Sequence, residues 1–67
     1  MKHSLPLAAM ERLMRLAGSE RISDDAKAAL RDVLEEYGQQ ISFSAIELSK
    51  HARRKTIKAE DIKLASK

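Results

Sequence analysis

Residues 51–61, HARRKTIKAED, place His51 and four cations, Arg53, Arg54, Lys55 and Lys58, ahead of the acids Glu60 and Asp61, with few apolar side chains among them. Cations so closely spaced either solvate the end of a helix, whose dipole they complement, or hold a polyanion by displacing its condensed counterions. The rest of the chain offers little competing chemistry. Glu35 and Glu36 are neighbours on an acidic stretch rather than convergent carboxylates, and no nucleophile stands beside an orienting base. With no cysteine and only His3 to accompany His51, no metal site, no cofactor, no catalysis and no small-molecule substrate are expected. Tyr37 and Phe43 are too few to form a stacking platform for single-stranded nucleic acid.

Charge is uneven along the chain. Up to residue 23, Lys2, Arg12, Arg15 and Arg21 exceed Glu11 and Glu20 by two. In 24–47, Lys27 and Arg31 face Asp24, Asp25, Asp32, Glu35, Glu36 and Glu47, a net of −4. From 48 onward, Lys50, Arg53, Arg54, Lys55, Lys58, Lys63 and Lys67 outweigh Glu60 and Asp61 by five. Basic ends around an acidic middle suit a protein that touches a polyanion at a few fixed points, not one coated to lie on a membrane. No run approaches the roughly 20 apolar residues that span a bilayer. MKHSLPLAAMERLM makes no convincing signal peptide, since Glu11 interrupts its apolar run. A soluble, intracellular chain is expected.

The elements that must position these charges are helices. Leu7, Met10, Leu13, Met14 and Ala17 recur at helical spacing, with start signals at Ser4 and Pro6 and a stop at Gly18. Ser23 is placed to cap a second helix that opens on Asp24 and Asp25. Its stripe, Ala26, Leu30, Val33, Leu34, Tyr37, Ile41, Ala45, Leu48 and Ala52, predicts a helix from about 24 to about 52, roughly 43 Å long at 1.5 Å per residue. Ala59, Ile62 and Ala65 predict a third, short helix within 58–66, and short extended pieces fit RIS at 21–23 and the region of Thr56 and Ile57. At 67 residues a lone core buries only about 60% of the unfolded chain's surface. Two short helices cover only part of so long a stripe, so a second chain is expected over the remainder. Gly38, at the centre of the long helix, costs about 1 kcal/mol relative to alanine there. Close approach of a partner's helix near Tyr37, Gly38 and Ile41 would explain it.

This pattern, with SERISDDAK at the first link and HARRKTIKAEDIKLA at the second, resembles the archaeal histones from Leu5 to Ala65; RKTIKAEDI is its most specific part. The resemblance implies an all-α histone fold in one domain, 1–67, pairing head to tail as a handshake dimer. The first link of one copy would then lie beside the second link of the other. It further implies contact with double-stranded DNA through Arg21, Lys55 and Thr56 at the dimer's ends and Arg12 at its centre, with Arg15 and Arg53 adding charge. Leu48, His51, Asp61 and Leu64 match positions that join dimer to dimer, as a tetramer or a longer stack on DNA. Arg54 matches the arginine that pairs with Asp61 inside its own chain. The implied function is sequence-nonspecific DNA wrapping in the cytoplasm on the chromosome or nucleoid, by a homodimer or with a histone paralogue.

Some positions depart from that pattern. Arg53 stands where a small residue, usually glycine, ends the long helix, and Ala9 replaces a common proline. Leu16 and Phe43 fall off their helices' apolar stripes. The rival expectations are a histone-fold heterodimerisation module of a transcription or repair complex, with DNA incidental, and a generic helical adaptor. The first would be expected to lose the set Arg12, Arg21, Lys55 and Thr56 or to carry a tail or extra domain; the second would leave duplex affinity indifferent to Arg21 and Lys55.

Overall fold

In the computed structural model, which describes residues 3–67, the chain forms three α-helices and, among the described residues, no strand. They are α1, Leu7–Leu16; α2, Asp24–His51; and α3, Ala59–Ala65. The short, long, short order is the one expected, and residues 21–23 and 56–57 lie in the links outside any helix. No helix of the described chain is long and apolar enough to cross a membrane. Contacts divide the chain into two compact units, Met1–Glu36 and Tyr37–Lys67, and α2 contributes residues to both.

In the first unit, α1 begins at Pro6, extended at φ −77° and ψ 146°, whose carbonyl accepts the Ala9 N–H at 3.2 Å. Proline suits a helix start because its missing N–H would have had no helical partner. Ser4 and Pro6 precede the helix, as the sequence leads one to expect; no side chain caps this end, and Ser4 donates its backbone N–H to Glu35. The other end closes on Gly18, whose φ of 107° favours glycine. There Ser19 N–H reaches the Met14 carbonyl at 3.1 Å and Gly18 N–H the Arg15 carbonyl at 3.0 Å, the paired bonds of a Schellman turn. α2 opens as its sequence predicts, with the Ser23 hydroxyl accepting the Ala26 N–H at 3.1 Å and Asp24 and Asp25 in the first turn. Met10 is the buried centre of this unit, and Lys27 on α2 pairs with Glu11 on α1 at 2.7 Å.

The second unit closes around small and polar groups. Ala45 and Ser49, one turn apart on α2, are buried together with Asp61 of α3. α2 ends in a second Schellman turn: Arg54 N–H bonds to the Ser49 carbonyl and Arg53 N–H to the Lys50 carbonyl, both at 2.9 Å. Arg53 occupies the left-handed position at φ 59° and is the non-glycine residue with positive φ among those described. The turn is therefore kept with arginine where the resemblance leads one to expect glycine. At α3, Lys58 is extended and its N–H donates to Asp61 Oδ2 at 2.8 Å, while the Asp61 N–H goes to the Lys58 carbonyl at 2.9 Å. A lysine side chain has no acceptor to offer, so the backbone completes the reciprocal cap.

A left-handed conformation costs a residue with a Cβ roughly 1 kcal/mol that glycine is spared. Arg53→Gly is expected to stabilise the protein by about 1 kcal/mol in chemical denaturation; an unchanged or lower midpoint would refute the strain argument.

Candidate nucleic-acid interface

The basic residues fall into two physical groups. Arg54 is committed to the fold. Its Nη1 donates to Asp61 Oδ2 and its Nη2 to Asp61 Oδ1, each at 3.0 Å, in the two-pronged geometry that guanidinium and carboxylate share. Nη1 also donates to the Thr56 carbonyl at 2.9 Å. The Ser49 hydroxyl adds a bond to the Arg54 carbonyl at 2.9 Å, with the Thr56 carbonyl 3.2 Å away. The second link is thus fastened to α2 through Ser49 and to α3 through Arg54. The Arg54 bonds, followed by the Lys58 N–H, hold the Asp61 carboxyl below its ordinary range, and Asp61 in turn raises the Arg54 guanidinium.

Arg12, Arg21, Arg53 and Lys55 are the other group. They are exposed, and among the described residues none makes an ion pair or a side-chain hydrogen bond. Arg12 lies on α1, Arg21 in the first link, and Arg53 and Lys55 in the second, with Thr56 exposed beside them. Arg21 lines an open surface depression with Met14, Ser19, Ile22, Ser23 and Ala26. Arg15 is intermediate: its Nε lies 3.5 Å from Glu11 Oε2 and its Nη1 3.4 Å from the Glu20 carbonyl, both long, so the charge stays largely available. Unpaired cations keep their hydration and counterions until an anion arrives, whereas Arg54 has already traded its own for Asp61.

The positions matched to chain-to-chain contacts are placed as follows. Leu48 is half-buried, His51 and Leu64 are exposed, and Asp61 is only 5% exposed. Asp61 Oδ2 accepts two bonds and Oδ1 accepts one, so Oδ1 is the atom with capacity left for an outside donor. Tyr37 is exposed and Ile41 half-buried. A Cβ built on Gly38 meets nothing within 4 Å, and Gly38 has no positive φ, so its own chain gives no reason for glycine there. Leu16 and Phe43, off-stripe in the sequence, are 79% and 68% exposed.

Two clusters were missed by reasoning from sequence. Glu35, read there only as a neighbour of Glu36 on an acidic stretch, is half-buried and collects the segment before α1: its Oε1 lies 2.6 Å from His3 Nδ1, and its Oε2 accepts the Ser4 and Leu5 N–H groups at 2.6 and 2.9 Å. No local spacing signals a contact 30 residues away. The other is Glu11, which faces Lys27 at 2.7 Å while Lys27 also reaches Asp24 at 3.3 Å. Lys27 holds the Glu11 carboxyl below its ordinary value, and Glu11 raises Lys27.

Residues 3–65 match the family described as histone-like transcription factor (CBF/NF-Y) and archaeal histone. The chain is 52% identical to the archaeal histone HAN1 of Thermococcus zilligii over 63 residues, 94% of each chain. It is 41% identical over 61 residues, 91% of each chain, to probable archaeal histone 3 of Methanocaldococcus jannaschii. A nuclear transcription factor Y protein of Arabidopsis thaliana is 40% identical over 60 residues, 87% of this chain but 25% of the plant protein.

The hydrogen bond from His3, and then the Leu5 N–H, bring the Glu35 carboxyl down to about 2 from 4.5. A carboxyl depressed on folding stabilises the fold above its unfolded value and loses that contribution as pH falls through the folded one. The Ser4 and Leu5 amides are therefore expected to be protected from hydrogen exchange at about pH 5 and to lose protection as pH drops from about 4.5 towards 2. In Glu35→Gln that acid-dependent step should vanish.

Proposed function

Because this chain belongs to the family of histone-like transcription factors (CBF/NF-Y) and archaeal histones, we propose that it is a chromatin protein that binds and wraps double-stranded DNA without base-specific readout. The working unit is a handshake homodimer of one histone-fold domain per chain, resident on the chromosome or nucleoid. The observation that carries this reading is the division of the cations: Arg54 is neutralised inside the fold while Arg12, Arg21, Arg53 and Lys55 are left free.

A second copy is supported by the small core. Met10 and Ala45 are the buried apolar residues among those described, while Leu13, Val33, Tyr37, Ile62 and Leu64 are all at least 40% exposed. Apolar surface of that extent is characteristic of an interface. Gly38 fits the same picture, since a crossing helix is what its own chain does not supply. In the dimer, Arg21 of one copy would join Lys55 and Thr56 of the other at each end, with Arg12, supported by Arg15, at the centre. Two ends and a centre give three contact regions. Meeting inward-facing minor grooves about every 10.2 bp, they would organise about 30 bp per dimer. Leu48, His51, Asp61 and Leu64 would extend the dimer into a tetramer or stack, using the spare capacity of Asp61 Oδ1 for His51 of the neighbour. A heterodimerisation role, suggested by the plant relative, predicts instead that DNA affinity does not depend on the free cations.

Arg21→Ala and Lys55→Ala should each weaken duplex binding uniformly across sequences and flatten the salt dependence by about two phosphate contacts per dimer, one at each end, as read by anisotropy from about 50 to about 200 mM salt; unchanged affinity would support the heterodimer. Nuclease digestion of the reconstituted complex should protect duplex in steps of about 30 bp if dimers stack, or at one size if they close into particles. Lack of protection would overturn wrapping.

A further inference from the structure

His3, Asp32 and Glu35 come from two separate segments, and each offers a ligand atom within 4.8 Å of the other two. Asp32 and Glu35 are one turn apart on α2, which puts both carboxylates on one face. His3 is delivered by the segment before α1, its Nδ1 2.6 Å from Glu35 Oε1 and 3.7 Å from Asp32 Oδ1. We propose that these three side chains form a divalent transition-metal site, zinc(II) being the ion that one imidazole nitrogen and two carboxylate oxygens suit best.

The geometry carries this further than an exposed pair of acids would. Donor atoms around a tetrahedral zinc at about 2.0–2.1 Å are spaced by ~3.3 Å. The distances of 2.6 and 3.7 Å lie on either side of that spacing, so small rotations bring both to it. Glu35 is already oriented. The Ser4 and Leu5 N–H groups fix Oε2 and leave Oε1 turned to His3, the kind of supporting bonds that fix a ligand's direction. Asp32 is 60% and His3 45% exposed, which leaves solvent free to complete the coordination sphere. One charge opposes the site: Arg31 Nε lies 3.8 Å from Asp32 Oδ1 and sets a modest affinity. On binding, the proton on His3 Nδ1 leaves, to solvent if Nε2 already carries one and otherwise by exchange through solvent to Nε2, so that the neutral ring offers its Nδ1 lone pair to the ion, and Glu35 Oε1 changes from hydrogen-bond acceptor to ligand. The ion would tie residues 3–5 to α2, a staple of the kind small cores use. The inference is independent of DNA binding, and neither result decides the other.

The test is calorimetric titration of the full, untagged chain with zinc chloride at about pH 7.5, since protons compete with metal for the same ligand atoms, paired with thermal melts and with the visible spectrum of cobalt(II) as a report of coordination number. One ion per chain and a rise in Tm are expected. His3→Gln should abolish both, and Asp32→Asn, which leaves the Ser4 and Leu5 bonds to Glu35 intact, should weaken binding at least tenfold. His51→Gln should bind as the parent does. The proposal is overturned if no saturable one-to-one binding occurs, if Asp32→Asn binds like the parent, or if His51→Gln is the variant that loses the ion.

Discussion

The constraint on which the structure depends is that three helices in 67 residues bury very little of their own apolar surface. Where a larger domain would rely on a packed interior, this chain relies on a few well-made polar fastenings. The Arg54–Asp61 pair, with Ser49 beside it, holds the second link between α2 and α3. The Glu11–Lys27 pair joins α1 to α2. Each satisfies its groups reciprocally, which is what allows charges and hydroxyls to sit at or near the centre of a compact unit. The uncovered stripe is the counterpart of those fastenings: the chain is ordered locally but left unfinished, and a second copy can supply what remains.

The same economy separates structural from available charge. In HARRKTIKAED, Arg54 and Asp61 cancel each other, while Arg53 and Lys55 remain outside any pairing among the described residues. Adjacent residues of the same charge thus meet different surroundings, because the Schellman turn at Arg53 and the bent link after it bring Arg54 to Asp61 while Arg53 and Lys55 stay exposed. Tying down the link would leave less ordering to be done in the DNA contact proposed for the free cations.

Much of this was legible in the sequence. Helical spacing gave α1, α2 and α3 to within a residue or two, and Ser23, Asp24 and Asp25 marked the start of α2 because capping is a local interaction between neighbours. The motif RKTIKAEDI carried the family, which the matches over residues 3–65 bear out. The hold of Glu35 on the Ser4 backbone N–H could not be read, because Glu35 lies far along the chain. Glu35, His3 and Asp32 were unreadable as a group for the same reason: their meeting is a product of the fold. Ser49 went unnoticed because a small hydroxyl in a helix carries no periodic signal of its own, although it is one turn from buried Ala45.

Arg53 shows how such a chain sets its priorities. Glycine would relax the backbone at that corner, yet the position holds a residue whose side chain makes no fastening among the described residues and whose backbone is forced into an unfavourable region. A site kept at the expense of resilience is tuned for something other than resilience. The terminus of α2 is thus a place where relaxing a single backbone corner would give up one solvent-facing positive charge.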